Sequence, residues 1–420
     1  MASARRLPAL VLPYSWVAWV FLAAFALQVG LNITSEIAGT SSLADRLGFI
    51  VMFVMGGVLM IRGLKARTIL VLPLLLALAF AMYNALGIAL TGDGPMSSLS
   101  TIFIPRYGYF VWMLVGLFAH LAISEIEVSS ATRRRRMHIL APGIAIASLV
   151  LVLRDYIIDP LRSDSYQFAA MNAAMLLLLA TLALDRWRMS LASGSTPMSI
   201  GVLLYILGGS GVVYSVALMG ATSIVLIWLA IVTLWALYIN VVLGPVWRVL
   251  LILMVFGAAA WFVANVLDDF LLLTRFQAVE TEGLFISSVT SRLDLLPTFN
   301  KQFAISPVFG HSYAEMLAGY ERGDYVHSVP LSLLSHAGVV GFAFFALMFI
   351  ALIAKQPTLA TSATSAIKQS EKMKRRVFTL VFLIGCAVAF FSWLPLWFMM
   401  GYLMVVEPAY SRGLVGHEQN

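Results

Sequence analysis

Apolar runs long enough to cross a membrane recur along the whole chain of 420 residues. A spanning helix needs roughly 20 largely apolar residues, because the hydrocarbon core of a bilayer is ~30 Å thick. Apolar residues make up 61% of the sequence and charged residues 11%, whereas an ordinary soluble domain has about 25% charged residues. The sequence therefore predicts an all-α membrane protein that forms one polytopic domain over 1–420.

About twelve spans are predicted, near 12–33, 47–61, 68–91, 107–124, 139–153, 169–184, 198–219, 222–243, 247–267, 328–354, 377–393 and 395–406. The last two meet at Ser392 to Pro395, so these can also be one kinked element.

Basic residues are concentrated in alternate connecting segments. One set of segments holds 19 of the 27 lysines and arginines, and the other set holds 8 of them together with 14 of the 20 acids. Cytoplasmic loops carry the excess of lysine and arginine in membrane proteins. The split therefore predicts two cytoplasmic termini and places the segment 268–327 on the outer side. The net charge of +7 is explained by this sidedness, and no nucleic-acid partner is implied.

The segment 268–327, between the ninth and tenth predicted spans, is 60 residues long. Connections of this length in compact proteins are mostly functional or disordered. This one contains large apolar residues throughout, among them Phe285, Phe299, Phe303 and Tyr313. We therefore expect short helices that lie on the outer membrane interface or partly in it, and we expect the functional residues to be in this segment.

The first pattern in this segment is Arg292-x3-Leu296, followed by the step from Pro307 to Gly310. Arginine presents a planar fork of donors that binds two phosphate oxygens at once. An isolated arginine at this position is more commonly explained by fixing of the loop.

The second pattern is His327-Ser328, then nine residues, then Gly338-x-x-Gly341. Ser328 is predicted to be the N-cap of the tenth span, with Pro330 in the first turn, where its missing N–H does no harm. His327 would then lie directly before the start of the helix. The two glycines are one helical turn apart, which favours close approach of a neighbouring helix.

Together these patterns resemble the signature of bacterial O-antigen ligases, which belong to the O-antigen ligase/polymerase superfamily. The resemblance covers the 50 residues from Arg292 to Gly341. It implies a glycosyltransferase of the bacterial inner membrane that acts in lipopolysaccharide biosynthesis. The donor would be a polysaccharide on undecaprenyl diphosphate, and the acceptor a hydroxyl of lipid A–core. Many members also carry a Ser-Arg-Gly-like step before the large loop, whereas this chain has Ala221-Thr222-Ser223-Ile224. The source of a second cationic group is therefore open.

The resemblance implies an inverting transfer in a periplasmic cavity, with Arg292 and His327 as catalytic residues. Arg292 would bind the donor diphosphate, and His327 would accept the proton of the acceptor hydroxyl, since a histidine is partly neutral near pH 7. Further cationic side chains are predicted on the same side and are candidate helpers: Arg106, Arg154, Arg162, Arg275 and Lys301. These groups supply the charge that a divalent ion supplies elsewhere, so neither a metal nor a cofactor is expected.

Other interpretations stay open. An interfacial histidine such as His327 is often a helix cap, and Arg154 and Arg162 lie near three aspartates with which they can pair. The main alternative function is an O-antigen or exopolysaccharide polymerase, whose acceptor is a second carrier-linked glycan. A lipid-linked glycan flippase is the more distant alternative. It would need polar groups deep in the spans, and His336 is the ionisable residue we find in such a place.

Overall fold

The computed structural model describes residues 14–38, 43–91, 105–128, 143–144, 175, 177–182, 209, 295–310, 328–354, 365–388 and 394–406. Eight helices account for most of them: α1 (Tyr14–Ala38), α2 (Leu43–Lys65), α3 (Val71–Thr91), α4 (Pro105–Val128), α5 (Leu295–Ile305), α6 (Val329–Ala354), α7 (Ser365–Val388) and α8 (Leu394–Leu403). Within these ranges the extended pairing is one isolated antiparallel bridge between Ile69 and Val405. The described part of the chain is therefore all-α, as the composition predicts.

Two stretches of these helices are long and apolar enough to cross a membrane, Leu47–Lys65 in α2 and Val329–Ile353 in α6. Shorter apolar stretches lie in α1, α3, α4 and α8. Helices α1 to α4 and α6 cover the first four predicted spans and the tenth. The spans predicted between 139 and 267 lie almost entirely outside the described residues, so the count of twelve stays a prediction.

Helices α2 and α3 carry large apolar side chains on two faces. One face packs into the core, and the other face is exposed. Met52 and Leu59 of α2 are buried, yet Ile50 and Val54 of the same helix are more than half exposed, as is Leu75 of α3. Water-soluble proteins rarely expose contiguous apolar surface of this kind. A lipid environment solvates it, so the two-faced apolar character of these helices agrees with a membrane location.

The last two predicted spans differ from expectation in length and position. Helix α7 begins at Ser365, twelve residues before the predicted start, and α8 contains ten residues. Ten residues rise by about 15 Å, half of the hydrocarbon thickness. Pro395 is the second residue of α8, where a proline is tolerated because the first helical N–H groups have no intrahelical acceptor. Helix α8 is thus a short helix whose residues are all buried, and the residues that connect it to α7 lie outside the described part of the chain.

Two glycines allow helix α8 to pack closely against α4. A Cβ atom at Gly116 would lie 1.9 Å from the carbonyl oxygen of Phe398, and one at Gly401 would lie 1.7 Å from that of Met113. Small residues allow backbones to approach in this way in membrane helices. All residues of α8 are buried, so this contact forms the centre of the described helix bundle.

Several chain segments meet at one end of the bundle. Arg62, near the end of α2, forms a 3.0 Å ion pair with Glu125, near the end of α4, and lies over the ring of Tyr14 at the start of α1. Residues 404–406 join the same end, because Leu70 donates to the carbonyl of Met404 and the Val406 N–H to that of Thr68. The charge pattern predicts one shared side for these segments, and the structure brings them together.

His120 is a polar residue that the sequence reasoning missed, although it lies within the predicted span 107–124. It is fully buried, its Nδ1 lies 2.6 Å from the carbonyl oxygen of Tyr402, and its ring stacks on that of Tyr402 with centroids 4.1 Å apart. His336 is therefore not the only deep ionisable residue among the predicted spans. The role of His120 is to connect α4 to α8.

We expect Gly401→Ala to destabilise the protein by ~1–3 kcal/mol or more, because the added methyl group must push a backbone carbonyl away. The check is the midpoint of thermal unfolding in detergent. Gly57→Ala is the matched control, since a Cβ at Gly57 meets nothing within 4 Å. The control should unfold at or slightly above the wild-type midpoint, as alanine has the higher helix propensity. Equal midpoints for both variants would contradict the close α4–α8 contact.

Candidate functional site

Helix α6 is broken at Gly338. Its φ and ψ angles there are 64° and −171°, a region of backbone space that is essentially restricted to glycine. The N-terminal half, Val329–Ala337, and the C-terminal half, Val339–Ala354, are thus two helical pieces joined at one residue. We call them the outer half and the inner half after the sides of the membrane that the charge pattern predicts for them. The sequence predicts a continuous span, with Gly338 as a surface for helix packing. The span is interrupted at Gly338, and the close approach there is made by the loop at Val308 instead of by a neighbouring helix.

The segment Ser306–Gly310, directly after α5, docks into this break. The N–H of Val339 donates to the carbonyl of Pro307 at 2.9 Å, and the N–H of Val340 donates to that of Val308 at 3.2 Å. In an unbroken helix these N–H groups would bond to carbonyls four residues earlier. The loop therefore replaces the helical acceptors, and we call this contact between 306–310 and 336–340 the loop–helix joint.

Two glycines allow the loop and the helix to touch. A Cβ atom at Gly310 would lie 2.2 Å from the carbonyl oxygen of His336, and one at Gly338 would lie 2.3 Å from that of Val308. Gly310 also has a positive φ of 80°, a conformation that side chains disfavour. Both positions therefore require glycine on two grounds, the space and the backbone angle.

Tyr83 of α3 closes the joint from the side. Its hydroxyl lies 2.7 Å from the carbonyl oxygen of Ala337 and 3.0 Å from that of Phe309, so one proton serves a carbonyl on each partner. Tyr83 is not among the residues predicted from the sequence. The available signal was the pair Tyr83-Asn84, two polar side chains side by side within an apolar run. Asn84 donates back to the carbonyl of Phe80 in its own helix.

The start of α6 agrees with the sequence. The helix begins at Val329, and the N–H of Ser332 donates to the carbonyl of Ser328 at 2.8 Å, which confirms Ser328 as the N-cap residue. The predicted close approach is also found at Gly341. A Cβ there would lie 3.0 Å from the ring of Tyr83.

The predicted charged residues fall largely outside the joint. Lys301 lies on α5 and is exposed to the surroundings, and Arg106 lies in the first turn of α4. The others lie outside the described residues: Arg154, Arg162, Arg275, Arg292 and His327. The structure thus unites Pro307, Gly310 and Gly338, and it leaves the assignment of the catalytic groups as a prediction.

The joint is built from backbone groups and is suited to holding the chain in place. A helix N-terminus such as that of the inner half of α6 often binds phosphate. Here the N–H groups of Val339 and Val340 already donate to the loop. The loop tip is apolar, with Val308 and Phe309 exposed to 48% and 68%. The observed contacts of the joint are therefore those of a structural connection between the loop and α6.

The sequence matches no protein-family model and no curated protein.

The joint predicts coupled effects of its two glycines. Gly310→Ala and Gly338→Ala should each undock the loop, and each should lower the midpoint of thermal unfolding. Once one substitution has undocked the loop, the second has little left to disrupt. The double variant should therefore be destabilised by clearly less than the sum of the two single effects. Additive effects within ~0.5 kcal/mol would show that the two glycines act independently.

Proposed function

We propose that this protein is an O-antigen ligase of the bacterial inner membrane. It would transfer polysaccharide from undecaprenyl diphosphate to a hydroxyl of lipid A–core. The observation that carries the proposal is the loop–helix joint. The Pro307–Gly310 step and the Gly338 motif are separated by 27 residues in the sequence, and they interlock through backbone hydrogen bonds. Two parts of the signature are thus parts of one structural unit, as expected if the signature describes a single site.

Arg292 and His327 carry the chemistry in this proposal. The acceptor oxygen attacks the anomeric carbon, the bond from that carbon to the diphosphate oxygen breaks, and the undecaprenyl diphosphate leaves. His327 takes the proton of the acceptor hydroxyl. Arg292 stabilises the growing negative charge on the diphosphate through its fork of donors. One displacement of this kind inverts the anomeric centre.

The joint supports these roles through chain connectivity. Two residues lie between Arg292 and the start of α5, and α5 leads directly into the docked loop. His327 precedes Ser328, the N-cap of the outer half of α6. Docking of the loop on α6 therefore fixes the two chain segments that lead to the proposed catalytic groups.

The membrane topology is part of the proposal. Roughly twelve spans place both termini in the cytoplasm and the segment 268–327 in the periplasm, where the donor presents its glycan. The end of the bundle formed by Tyr14, Arg62, Glu125 and residues 404–406 would face the cytoplasm. This end includes the basic turn between α2 and α3, and an excess of lysine and arginine is typical of the cytoplasmic side.

Polymerase activity is the alternative with the same donor chemistry. A transporter gains one argument from the broken helix α6, because discontinuous helices line the substrate sites of many transporters. However, the N–H groups of Val339 and Val340 and the Ala337 carbonyl already have partners within the protein. These groups are thus not presented to a transported ion, which favours the enzyme.

Deletion of the gene, followed by electrophoresis of the lipopolysaccharide, separates the three functions. A ligase defect leaves lipid A–core without polymer while long carrier-linked chains persist. A core with a single repeat unit would indicate a polymerase, and the loss of long carrier-linked chains together with a bare core would indicate a flippase.

Variants in the deletion strain test the catalytic residues. We expect His327→Ala to lower the transfer rate by roughly 10²–10⁴, the usual contribution of a positioned base. Arg292→Lys keeps the charge and loses the fork, so most activity should be lost as well. His417→Ala, a histidine change near the chain end, is the control that should restore normal lipopolysaccharide. Near-normal polymer with His327→Ala at equal protein levels would refute its role as the base.

A further inference from the structure

Tyr83 bridges the two partners of the joint with a single side chain. Its hydroxyl contacts the carbonyl of Ala337, the last residue of the outer half of α6, and the carbonyl of Phe309 in the loop. The ring is held in place as well. It packs beside Gly341, and its centroid lies 6.0 Å from that of Phe344. Tyr83 therefore connects α3, the loop and both halves of α6.

A short helix, the outer half of α6, extends from this contact towards the proposed active site. The outer half of α6 runs from Val329 to Ala337 and is about 13 Å long at 1.5 Å per residue. A rotation of ~10° about the break would move its far end by ~2 Å over that length. Misplacement of a catalytic group by about 1 Å is enough to reduce a rate by ~10².

We propose that Tyr83 is a positioning residue for glycan transfer. By holding the Ala337 carbonyl against the loop, it sets the angle of the outer half-helix, and thereby the position of Ser328 and of the histidine bonded to it. This role rests on the proposed function, because it requires His327 to act in catalysis. Tyr83 itself does not touch the reacting atoms in this proposal.

The first test is kinetic, with purified full-length Tyr83→Phe, carrier-linked donor and lipid A–core acceptor. The substitution removes one oxygen atom and keeps the ring. We expect kcat to fall by about 10- to 100-fold, while KM for the donor changes by less than about threefold, since donor binding is assigned to Arg292. Monodispersity and the unfolding midpoint show whether the variant is folded. A general loss of folded protein would reduce the amount of active enzyme, and it would not alter the kcat of the enzyme that stays folded.

The second test measures the joint itself by hydrogen–deuterium exchange and does not depend on any activity. Tyr83→Phe should speed exchange about tenfold in peptides that contain Val339 and Val340, whose N–H groups bond to the loop. Peptides from α4 and α8 should be unchanged. The matched control is Thr68→Val, in the turn between α2 and α3, which also removes a hydroxyl that donates to a backbone carbonyl, that of Gly63. It should leave both the exchange at the joint and kcat at wild-type values.

The outcomes separate the positioning role from the function. Wild-type exchange at Val339 and Val340 in Tyr83→Phe would overturn the proposal, because the hydroxyl would then not hold the joint. Faster exchange with an unchanged kcat would overturn it too, since the joint would loosen without effect on the chemistry. If the wild-type protein shows no transfer, the proposed function fails and the positioning role fails with it. The exchange result would then still define what Tyr83 does for the joint.

Discussion

Two backbone hydrogen bonds, from the N–H groups of Val339 and Val340 to the carbonyls of Pro307 and Val308, hold the described loop against α6. A broken helix in a membrane interior exposes N–H and carbonyl groups where there is no water to satisfy them. Each such group would cost several kcal/mol if left without a partner. The loop is therefore needed as soon as Gly338 interrupts the helix, and the interruption is tolerated because the loop is present.

The rest of the described fold supports this arrangement. Helix α3 brings Tyr83 to the joint, and α6 packs along α3 through Gly341. One turn before Tyr83 in α3, the ring of Phe80 stacks on that of Trp397 in the buried helix α8. Helix α8 is fixed in turn to α4 by the contact at Gly401. A continuous set of packed helices thus connects the joint to the centre of the bundle, so that its position is determined by more than the loop alone.

The sequence predicts some elements of the described structure and does not predict others. Helices α1 to α4 and α6 follow from apolar runs of membrane length, and the N-cap at Ser328 follows from local chemistry, since both signals are short-range. The break at Gly338 could not be predicted, because its cause is a loop 30 residues away whose carbonyls replace the helical acceptors. A Gly-x-x-Gly pattern in an apolar helix is equally compatible with packing.

Long-range contacts also explain the other departures. Tyr83 lies 254 residues from Ala337 in the chain, and no local pattern links the two. Helix α8 has the composition of a membrane span, yet its ten residues are too few, and its burial depends on glycines in two helices that are far apart in the sequence. For the catalytic site, the sequence predicts residue types and sidedness, while the described structure supplies the scaffold that joins two parts of the signature.

Cross-linking in intact membranes tests the central claim, the docking of the loop on α6, most directly. With Cys386 replaced by serine, cysteines at Val308 and Val339, both about half exposed, would sit across the joint. A protease site inserted between them reports whether the two fragments stay linked after treatment with a short thiol cross-linker. We expect efficient linkage of this pair and none for Val308 with Leu347, which is also exposed and lies two turns further along α6. Failure of the first pair to link, or equal linkage of both, would contradict the loop–helix joint.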